Sequence, residues 1–237
     1  MGSAVGDAAI PGKLEPASLA SESLGQFLAE LCSSAPTPGG GAASAVAGAL
    51  AASLVAMVAE LSVGRPKSEP YLATIELSRA EGHRLASVMT DLADADAEAF
   101  GRYMAASAMP RGNEAEIAAR RAALARAADE AIEPPRAMVA ACAEVAVACE
   151  RLAGRSNRGL ASDLVVASRL VEGAAHGAME NVLVNLPALG DTAKAEALAA
   201  DAVRSLRTVV RWARAARATV ARKSLRDPER APTGGPR

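Results

Sequence analysis

The chain has 237 residues, which is enough for one domain with a substantial core. Hydrophobic residues make up 51% of it but aromatic residues only 2%, and alanine supplies much of the apolar content, which favours helices over strands. The formal net charge of −1 leaves no global basic field of the kind that drives binding to nucleic acid or to membrane surfaces. We therefore predict an all-α protein that binds neither.

Hydrophobic periodicity and capping residues predict six helical segments between two ends, residues 1–17 and 223–237, that are expected to be disordered. The helical domain then covers residues 18–222 and is predicted to be an up-and-down bundle. In chain order the segments are a helix near 24–31, an alanine-rich helix at 42–61, a long helix at 71–108, a helix that Asn113 and Glu116 begin and Pro134-Pro135 restarts, a helix with Ser162 as its N-cap that ends near 186, and a helix from Asp191 to 222.

The uncharged run at residues 39–59 is long enough to suggest a membrane span, but alanine, glycine and serine insert weakly into lipid. We predict a buried core helix instead. The N-terminus lacks the basic start and compact apolar block of a signal peptide. Cys32, Cys142 and Cys149 have no metal-ligand spacing, and we interpret Cys142 and Cys149 as buried free thiols. These features predict a cytoplasmic protein without a metal site.

The long third helix carries a carboxylate on its apolar face. At about 100° per residue, Asp96 falls near the centre of an apolar stripe, whereas its neighbours Asp91 and Asp94 point away from it. A carboxylate on a core-facing stripe is costly unless it is paired, and burial raises its pKa towards the range useful for proton transfer. Asp96 is therefore either a structural residue satisfied by a helix end or an arginine, or a functional acid–base group.

The helix that begins at Ser162 repeats this anomaly, because Asp163, Asn181 and Asn185 share its buried face. Two asparagines one turn apart, beside the small Gly177, could offer paired donors and acceptors to a flat heterocycle. They could equally cap a neighbouring helix or form hydrogen bonds across a dimer interface, and the pattern leaves both interpretations open.

A glycine loop opens the alanine-rich helix. Gly39, Gly40 and Gly41 would let a ligand approach backbone N–H groups at a helix N-terminus, although such a triplet is commonly only a flexible turn. In the next loop Arg65 and Lys67 could meet an anionic ligand tail, or they could simply be solvated cations. His83 and His176 fall on outward faces, so no histidine-based catalytic site is expected.

Four short sequence blocks occur in the same order as motifs of a known family. They are SAPTPGGG at 34–41, DAEAF at 96–100, Asn157 followed by LASD at 160–163, and NVLVNL at 181–186. With their helical context they resemble the cyclodeaminase/cyclohydrolase family, which comprises the C-terminal domain of formiminotransferase-cyclodeaminase and free-standing bacterial methenyltetrahydrofolate cyclohydrolases. The resemblance runs from about residue 24 to 222. It departs at Arg65-Pro66-Lys67-Ser68, where the family usually has a basic run and an aromatic residue, and at Gly159, where asparagine is commoner.

The resemblance implies an all-α homodimer that binds folate in a cleft between helices, with a tetrahydrofolate derivative as substrate and no separate cofactor. The implied activity is methenyltetrahydrofolate cyclohydrolase; the alternatives are formiminotetrahydrofolate cyclodeaminase and a non-catalytic folate-binding or interaction protein. Asp96 is the implied catalytic residue. The implied substrate-binding residues are Pro38, Gly39, Gly40, Gly41, Arg65, Lys67, Asn157, Ser162, Asp163, Asn181 and Asn185.

Overall fold

The computed structural model describes residues 18–223 together with residues 225, 226, 230 and 232. Every regular element in this part of the chain is helical, which confirms the all-α prediction. Residues 1–17 and most of 223–237, both predicted to be disordered, lie outside the described residues. The α-helices are α1 (Leu24–Leu31), α2 (Gly40–Glu60), α3 (Leu72–Ser107), α4 (Glu114–Ala131), α5 (Glu133–Leu152), α6 (Ala161–Asn185) and α7 (Thr192–Arg222), with short 3-10 turns at Leu19–Ser21, Pro66–Tyr71, Arg158–Leu160 and Leu186–Leu189.

The capping residues read from the sequence begin two of these helices. The side chains of Asn113 and Asp191 accept hydrogen bonds from the third backbone N–H of α4 and α7 respectively. The Pro134-Pro135 pair lies in the first turn of α5, where proline removes no needed hydrogen bond. The prediction for Ser162 is wrong, because α6 begins at Ala161 after a 3-10 turn whose N-cap is Asn157.

Helix α2 packs against α3, α5 and α6. Its contact with α3 is antiparallel and very close: a Cβ placed on Gly82 of α3 would lie 2.7 Å from the backbone N of Ala56. Small residues therefore set the distance between these helices. By length and composition α2 could also cross a membrane, but half of its most apolar stretch is buried inside the protein. The inner face of α2 is thus buried, as predicted for a core helix.

Helix α5 is almost entirely buried between α2, α3, α6 and α7. Cys142 and Cys149 lie fully inside it as free thiols, and burial raises the pKa of each thiol to about 12. Its C-terminal end carries the buried residues Glu150 and Arg151, which is unusual for charged side chains. Both are covered by described residues of the C-terminal segment, because Arg226 pairs with Glu150 and Arg151 donates to the carbonyl oxygen of Pro232 at 2.7 Å.

Candidate functional site

A cleft of about 410 Å³ opens where the first turn of α2, the middle of α3 and the end of α6 meet, next to the C-terminal end of α4. It brings together three of the four sequence blocks, although Gly41 and Asn181 are 140 residues apart along the chain. The predicted site residues that line it are Gly39, Gly40, Gly41, Asp96, Asn181 and Asn185.

Asp96 lies half-buried in this cleft, as the helical phase of α3 predicts. No hydrogen bond or ion pair joins its carboxylate to any described residue. Burial raises the pKa of the Asp96 carboxyl above its ordinary value. The structural interpretation required a hydrogen bond from a helix end or an ion pair with an arginine, and the described residues supply neither, so the geometry favours the functional interpretation of this side chain.

Because Gly41 has no side chain, the carboxylate of Asp96 can occupy the space beside it. A Cβ placed on Gly41 would lie 2.0 Å from Oδ2 and 2.7 Å from Cγ of Asp96, closer than any real contact. The carboxylate therefore rests against the first turn of α2, whose free N–H groups and positive dipole end face the same region. By contrast, a Cβ on Gly39 or Gly40 would meet no protein atom within 4 Å. These two glycines border open space in the cleft instead.

The two asparagines present oxygen atoms to the cleft. Asn181 donates from Nδ2 to the carbonyl oxygen of Gly177 at 2.9 Å, and Asn185 donates from Nδ2 to the carbonyl oxygen of Ala131 at 2.9 Å. A carbonyl only accepts, so these bonds fix the orientation of both amides. Each Oδ1 has no partner among the described residues. The site therefore offers two hydrogen-bond acceptors one helical turn apart, whereas the sequence predicted both donors and acceptors.

Sequence reasoning missed the aromatic wall of the cleft. Phe100 and Tyr103 line it, and by helical phase both belong to the same stripe of α3 as Asp96. The chain contains only two phenylalanines and two tyrosines, and Phe100 remains 39% exposed. An aromatic residue one turn beyond Asp96, in a chain with so few aromatic residues, was a usable signal. Stacking on a flat ligand accounts for the exposure of its ring, which core packing does not.

The other predicted residues do not reach this cleft within one chain. Arg65 donates from Nε to the carbonyl oxygen of Leu61 at 2.9 Å, and Asn157 approaches the same oxygen at 3.4 Å. Both therefore lie at the C-terminal end of α2, about 30 Å from Gly40. Lys67, Ser162 and Asp163 lie in the turns and the helix start at that same end. Pro38 lines a neighbouring cavity on the other side of the glycine loop.

Asp94 does not face solvent as the helical phase suggested. Its carboxylate accepts hydrogen bonds from the Ser18 hydroxyl at 2.6 Å and from the backbone N–H of Leu19 at 2.9 Å. It therefore holds the 3-10 turn that precedes α1 against α3. The periodicity of a single helix could not show this, because the partner comes from a segment more than 70 residues away.

These observations define an all-helical protein with a carboxylate site suited to proton transfer and a pair of amide acceptors suited to a nitrogen heterocycle. Residues 23–204 match the family model described as formiminotransferase-cyclodeaminase. The chain belongs to this family.

Curated relatives and a solved structure agree with this assignment. The chain is 38% identical over 177 residues to a methenyltetrahydrofolate cyclohydrolase of Methylorubrum extorquens, covering 74% of this chain and 84% of that protein. It is 34% identical to a formimidoyltransferase-cyclodeaminase of Sus scrofa, covering 74% of this chain but 32% of that longer protein. The crystal structure of formiminotetrahydrofolate cyclodeaminase from Thermotoga maritima has a TM-score of 0.76 and 26% identity, and the match covers 85% of this chain and 97% of that one.

Proposed function

We propose that the chain is a methenyltetrahydrofolate cyclohydrolase, which hydrolyses 5,10-methenyltetrahydrofolate to 10-formyltetrahydrofolate. The observation that carries the proposal is the half-buried carboxylate of Asp96, which has no partner among the described residues and lies in a cleft with two amide acceptors. The similarity to the Methylorubrum extorquens cyclohydrolase over most of its length supports the choice of reaction.

Asp96 acts on the one-carbon bridge. Its carboxylate stabilises the positive charge shared by N5, the methenyl carbon and N10, and it takes a proton as water adds to that carbon. The adduct then collapses: the bond from the carbon to N5 breaks, the hydroxyl loses its proton to form the formyl group on N10, and N5 gains a proton from Asp96. One proton is released to solvent overall, so the carboxylate returns to its starting state.

The amide oxygens of Asn181 and Asn185 orient the substrate. The pterin ring carries adjacent N–H donors on its pyrimidine edge, which match two acceptors held one turn apart on α6. Phe100 supplies a half-exposed ring on which a flat heterocycle or the aminobenzoyl group can stack. These contacts hold the methenyl carbon near the carboxylate, which is the positioning that accelerates a one-step addition.

The alternative activity is that of a formiminotetrahydrofolate cyclodeaminase, which the likeness to the Thermotoga maritima enzyme favours. In that reaction N10 attacks the formimino carbon, Asp96 takes the N10 proton, and ammonia leaves after the carboxyl group returns the proton to it. Both reactions pass through a tetrahedral carbon in the same place. A non-catalytic folate-binding protein is the third possibility; the altered loop at residues 65–68 supports it, whereas the retained Asp96 speaks against it.

The deciding experiment offers each folate separately to the purified protein. We expect faster loss of the methenyl absorbance of 5,10-methenyltetrahydrofolate than in a protein-free blank, and little ammonia from 5-formiminotetrahydrofolate. Rapid ammonia release would make cyclodeaminase the activity. If neither rate exceeds the blank while calorimetry shows folate binding, the non-catalytic interpretation is correct.

Gly40 provides a test of where the ligand lies. Valine at this position would extend into open cleft space, because a Cβ there meets no protein atom and the residue lies at the start of a regular helix. Gly40→Val should therefore weaken folate binding about tenfold or more, which corresponds to ~1.4 kcal/mol, while helix content by circular dichroism stays near that of the parent. Unchanged affinity by calorimetry would leave the glycine loop as a simple hinge.

We also propose a homodimer in the cytoplasm. The outward face of α2 has no charged residue before Glu60 at its end and leaves Val46, Leu50, Leu54 and Met57 partly exposed, with Leu50 at 52%. A second copy, packed with its α2 antiparallel, would cover this face and bring its 61–67 end towards the Gly40 end of the first chain. The free thiols of Cys142 and Cys149 fit a reducing compartment.

Leu50→Arg should convert the dimer to a monomer at micromolar concentration, because it would place an unpaired charge in a desolvated interface. Folding should survive, since Leu50 is half-exposed in the single chain. Light scattering with circular dichroism checks both points. Leu77→Arg is the matched control: Leu77 is 41% exposed on the side of α3 that carries Glu81 and Arg84 towards α5. A parent chain that is monomeric at assay concentration would contradict the dimer.

A further inference from the structure

Two hydroxyl groups in the Asp96 cleft have no role in the proposed reaction. They belong to Thr37 and Tyr103, and neither forms a hydrogen bond with any described residue. The Nδ2 groups of Asn181 and Asn185 are already bound to backbone carbonyl oxygens. Among the side chains that line the cleft, the two hydroxyls therefore remain available to a substrate, together with the Asp96 carboxylate and the two amide oxygens.

Two close helix contacts show which side chains lie at the same level in the cleft. A Cβ on Gly41 would lie 2.0 Å from Oδ2 of Asp96, and a Cβ on Gly177 would lie 2.3 Å from Oγ of Ser44. Helix α6 runs antiparallel to α2, because the turn before α6 meets the residues just after α2 at the other end of the bundle. Asn181 follows Gly177 by one turn, so it lies level with the first turn of α2 and hence with Asp96.

Helices α3 and α6 are both antiparallel to α2, so they run in the same direction from this level. One turn further on, Asn185 of α6 lies level with Phe100 of α3, and Ala188 then lies level with Tyr103. The cavities agree with this order, because Tyr103 and Ala188 line both the cleft and a neighbouring cavity of about 610 Å³, which Arg121 of α4 also lines. Long side chains on a helix lean towards its N-terminus, so we expect the Tyr103 hydroxyl near the level of Asn185.

The chemistry of the pterin ring gives its orientation in this cleft. Its pyrimidine edge presents the 4-oxo oxygen, N3–H and the 2-amino group in that order, and the 4-oxo oxygen lies beside N5. N5 carries the methenyl carbon, which the proposed reaction holds at Asp96. The 4-oxo end of the edge therefore lies level with Asp96 and Asn181. The 2-amino end lies one turn further on, level with Asn185 and the Tyr103 hydroxyl.

We propose that the Tyr103 hydroxyl oxygen accepts a hydrogen bond from the 2-amino group of the pterin, which makes this residue a determinant of substrate specificity. The inference rests on the proposed function. N3–H donates to Oδ1 of Asn181, one N–H of the 2-amino group donates to Oδ1 of Asn185, and the second N–H donates to Tyr103. Each N–H of the edge then has an acceptor. Thr37 does not take this place, because it precedes the glycine loop and so lies at the 4-oxo end.

The experiment compares two ligands, tetrahydrofolate and its 2-desamino analogue, in which hydrogen replaces the amino group. The parent should bind tetrahydrofolate more tightly by calorimetry. Tyr103→Phe removes one oxygen atom and keeps the ring, so it should weaken tetrahydrofolate binding about fivefold, the usual contribution of one neutral hydrogen bond, and change binding of the analogue less than about twofold. Equal weakening of both ligands, or of neither, would overturn the proposal.

Kinetics separate this role from a structural one. In Tyr103→Phe the KM for methenyltetrahydrofolate should rise by a similar factor while kcat stays near that of the parent, because the bond to the 2-amino group is present in the substrate and in the transition state alike. The midpoint of urea unfolding should not change, since the hydroxyl has no partner among the described residues. A lower midpoint together with a lower kcat would make Tyr103 a structural residue and refute the proposal.

Two further hydroxyl variants are matched controls. Tyr71→Phe makes the same change at the other tyrosine of the chain, which is buried just before α3 and does not line the cleft, so it should keep the parent's preference for tetrahydrofolate. Thr37→Val removes the second hydroxyl of the cleft and should also keep the preference. If Thr37→Val abolished the preference while Tyr103→Phe kept it, the pterin would lie in the opposite orientation and the proposal would be wrong.

Failure of the proposed function has a different signature. A chain that binds tetrahydrofolate but hydrolyses no methenyltetrahydrofolate can still show the preference. Its loss in Tyr103→Phe would then support the hydrogen bond and refute only the cyclohydrolase reaction. A chain that hydrolyses methenyltetrahydrofolate but binds both ligands equally would refute the role of Tyr103 alone. Binding of neither ligand would refute both.

Discussion

Gly41→Ala is expected to lower turnover of methenyltetrahydrofolate by about 100-fold, although it adds only one methyl group. The new Cβ would lie 2.0 Å from Oδ2 of Asp96, so the carboxylate has to move by more than 1 Å to restore van der Waals contact. A displacement of about 1 Å at a reacting group can cost on the order of 100-fold in rate. The effect should appear in kcat at saturating substrate, because the amide acceptors on α6 are untouched.

Gly101→Ala is the control for that substitution. Gly101 lies on the same helix as Asp96, a Cβ there meets no atom within 4 Å, and the residue does not line the Asp96 cleft. It should keep the parent's turnover and gain slightly in stability, by about 0.5–1 kcal/mol, because alanine is the better helix former. Turnover of Gly41→Ala within a few-fold of the parent would show that the carboxylate position is not critical.

Much of the fold and the centre of the site follow from local patterns in the sequence. The phase of α3 puts Asp96 on a core-facing stripe because the helical repeat is fixed, and the structure places it there. The same arithmetic puts Asn181 and Asn185 on the inner face of α6. In each case a polar residue stands where the helical repeat predicts an apolar one. The sequence of a single helix is enough to show this.

The rest of the site depends on which helices contact each other, and the hydrophobic periodicity of the sequence does not show that. Nothing in the sequence of α4 shows that Arg121 lies beside the Asp96 cleft, because the contact depends on how α4 packs against α3 and the turn after α6. Likewise the amide orientation of Asn185 is set by the carbonyl oxygen of Ala131, 54 residues away in the chain. The separation of Arg65 from Gly40 follows from the length of α2, but a family pattern treats both as parts of one site.

Asp96→Asn should reduce turnover by roughly 100- to 10,000-fold, the usual contribution of general acid–base catalysis, while substrate affinity changes far less. Asparagine keeps the size and hydrogen-bonding capacity of the side chain but can neither carry the charge nor transfer the proton. The loss should therefore lie in kcat. Adding Gly41→Ala to Asp96→Asn should produce little further loss, since both substitutions act through the same carboxylate.

The stability of this variant tests the burial of Asp96 independently of catalysis. Burial raises the pKa of the Asp96 carboxyl in the folded state, so the folded chain holds this proton to higher pH than the unfolded chain, whose aspartates titrate near about 3.9. The free energy of unfolding of the parent therefore falls as pH rises through the interval between the two pKa values. Asp96→Asn lacks this loss, so it should be at least as stable as the parent at neutral pH and equal to it below about pH 4.

The control for Asp96→Asn has to be an aspartate of α3 without a structural partner. Asp94 is unsuitable, since Asp94→Asn would weaken the hydrogen bonds from Ser18 and Leu19 and so lower stability. Asp91 is exposed on the same helix and lines no part of the cleft, so Asp91→Asn should match the parent in kcat and in urea denaturation. If Asp91→Asn lost turnover while Asp96→Asn stayed active, the helical phase would be wrong. If both variants kept full activity, a carboxylate would not be the proton-transfer group, because no conservative amide can replace it in that role.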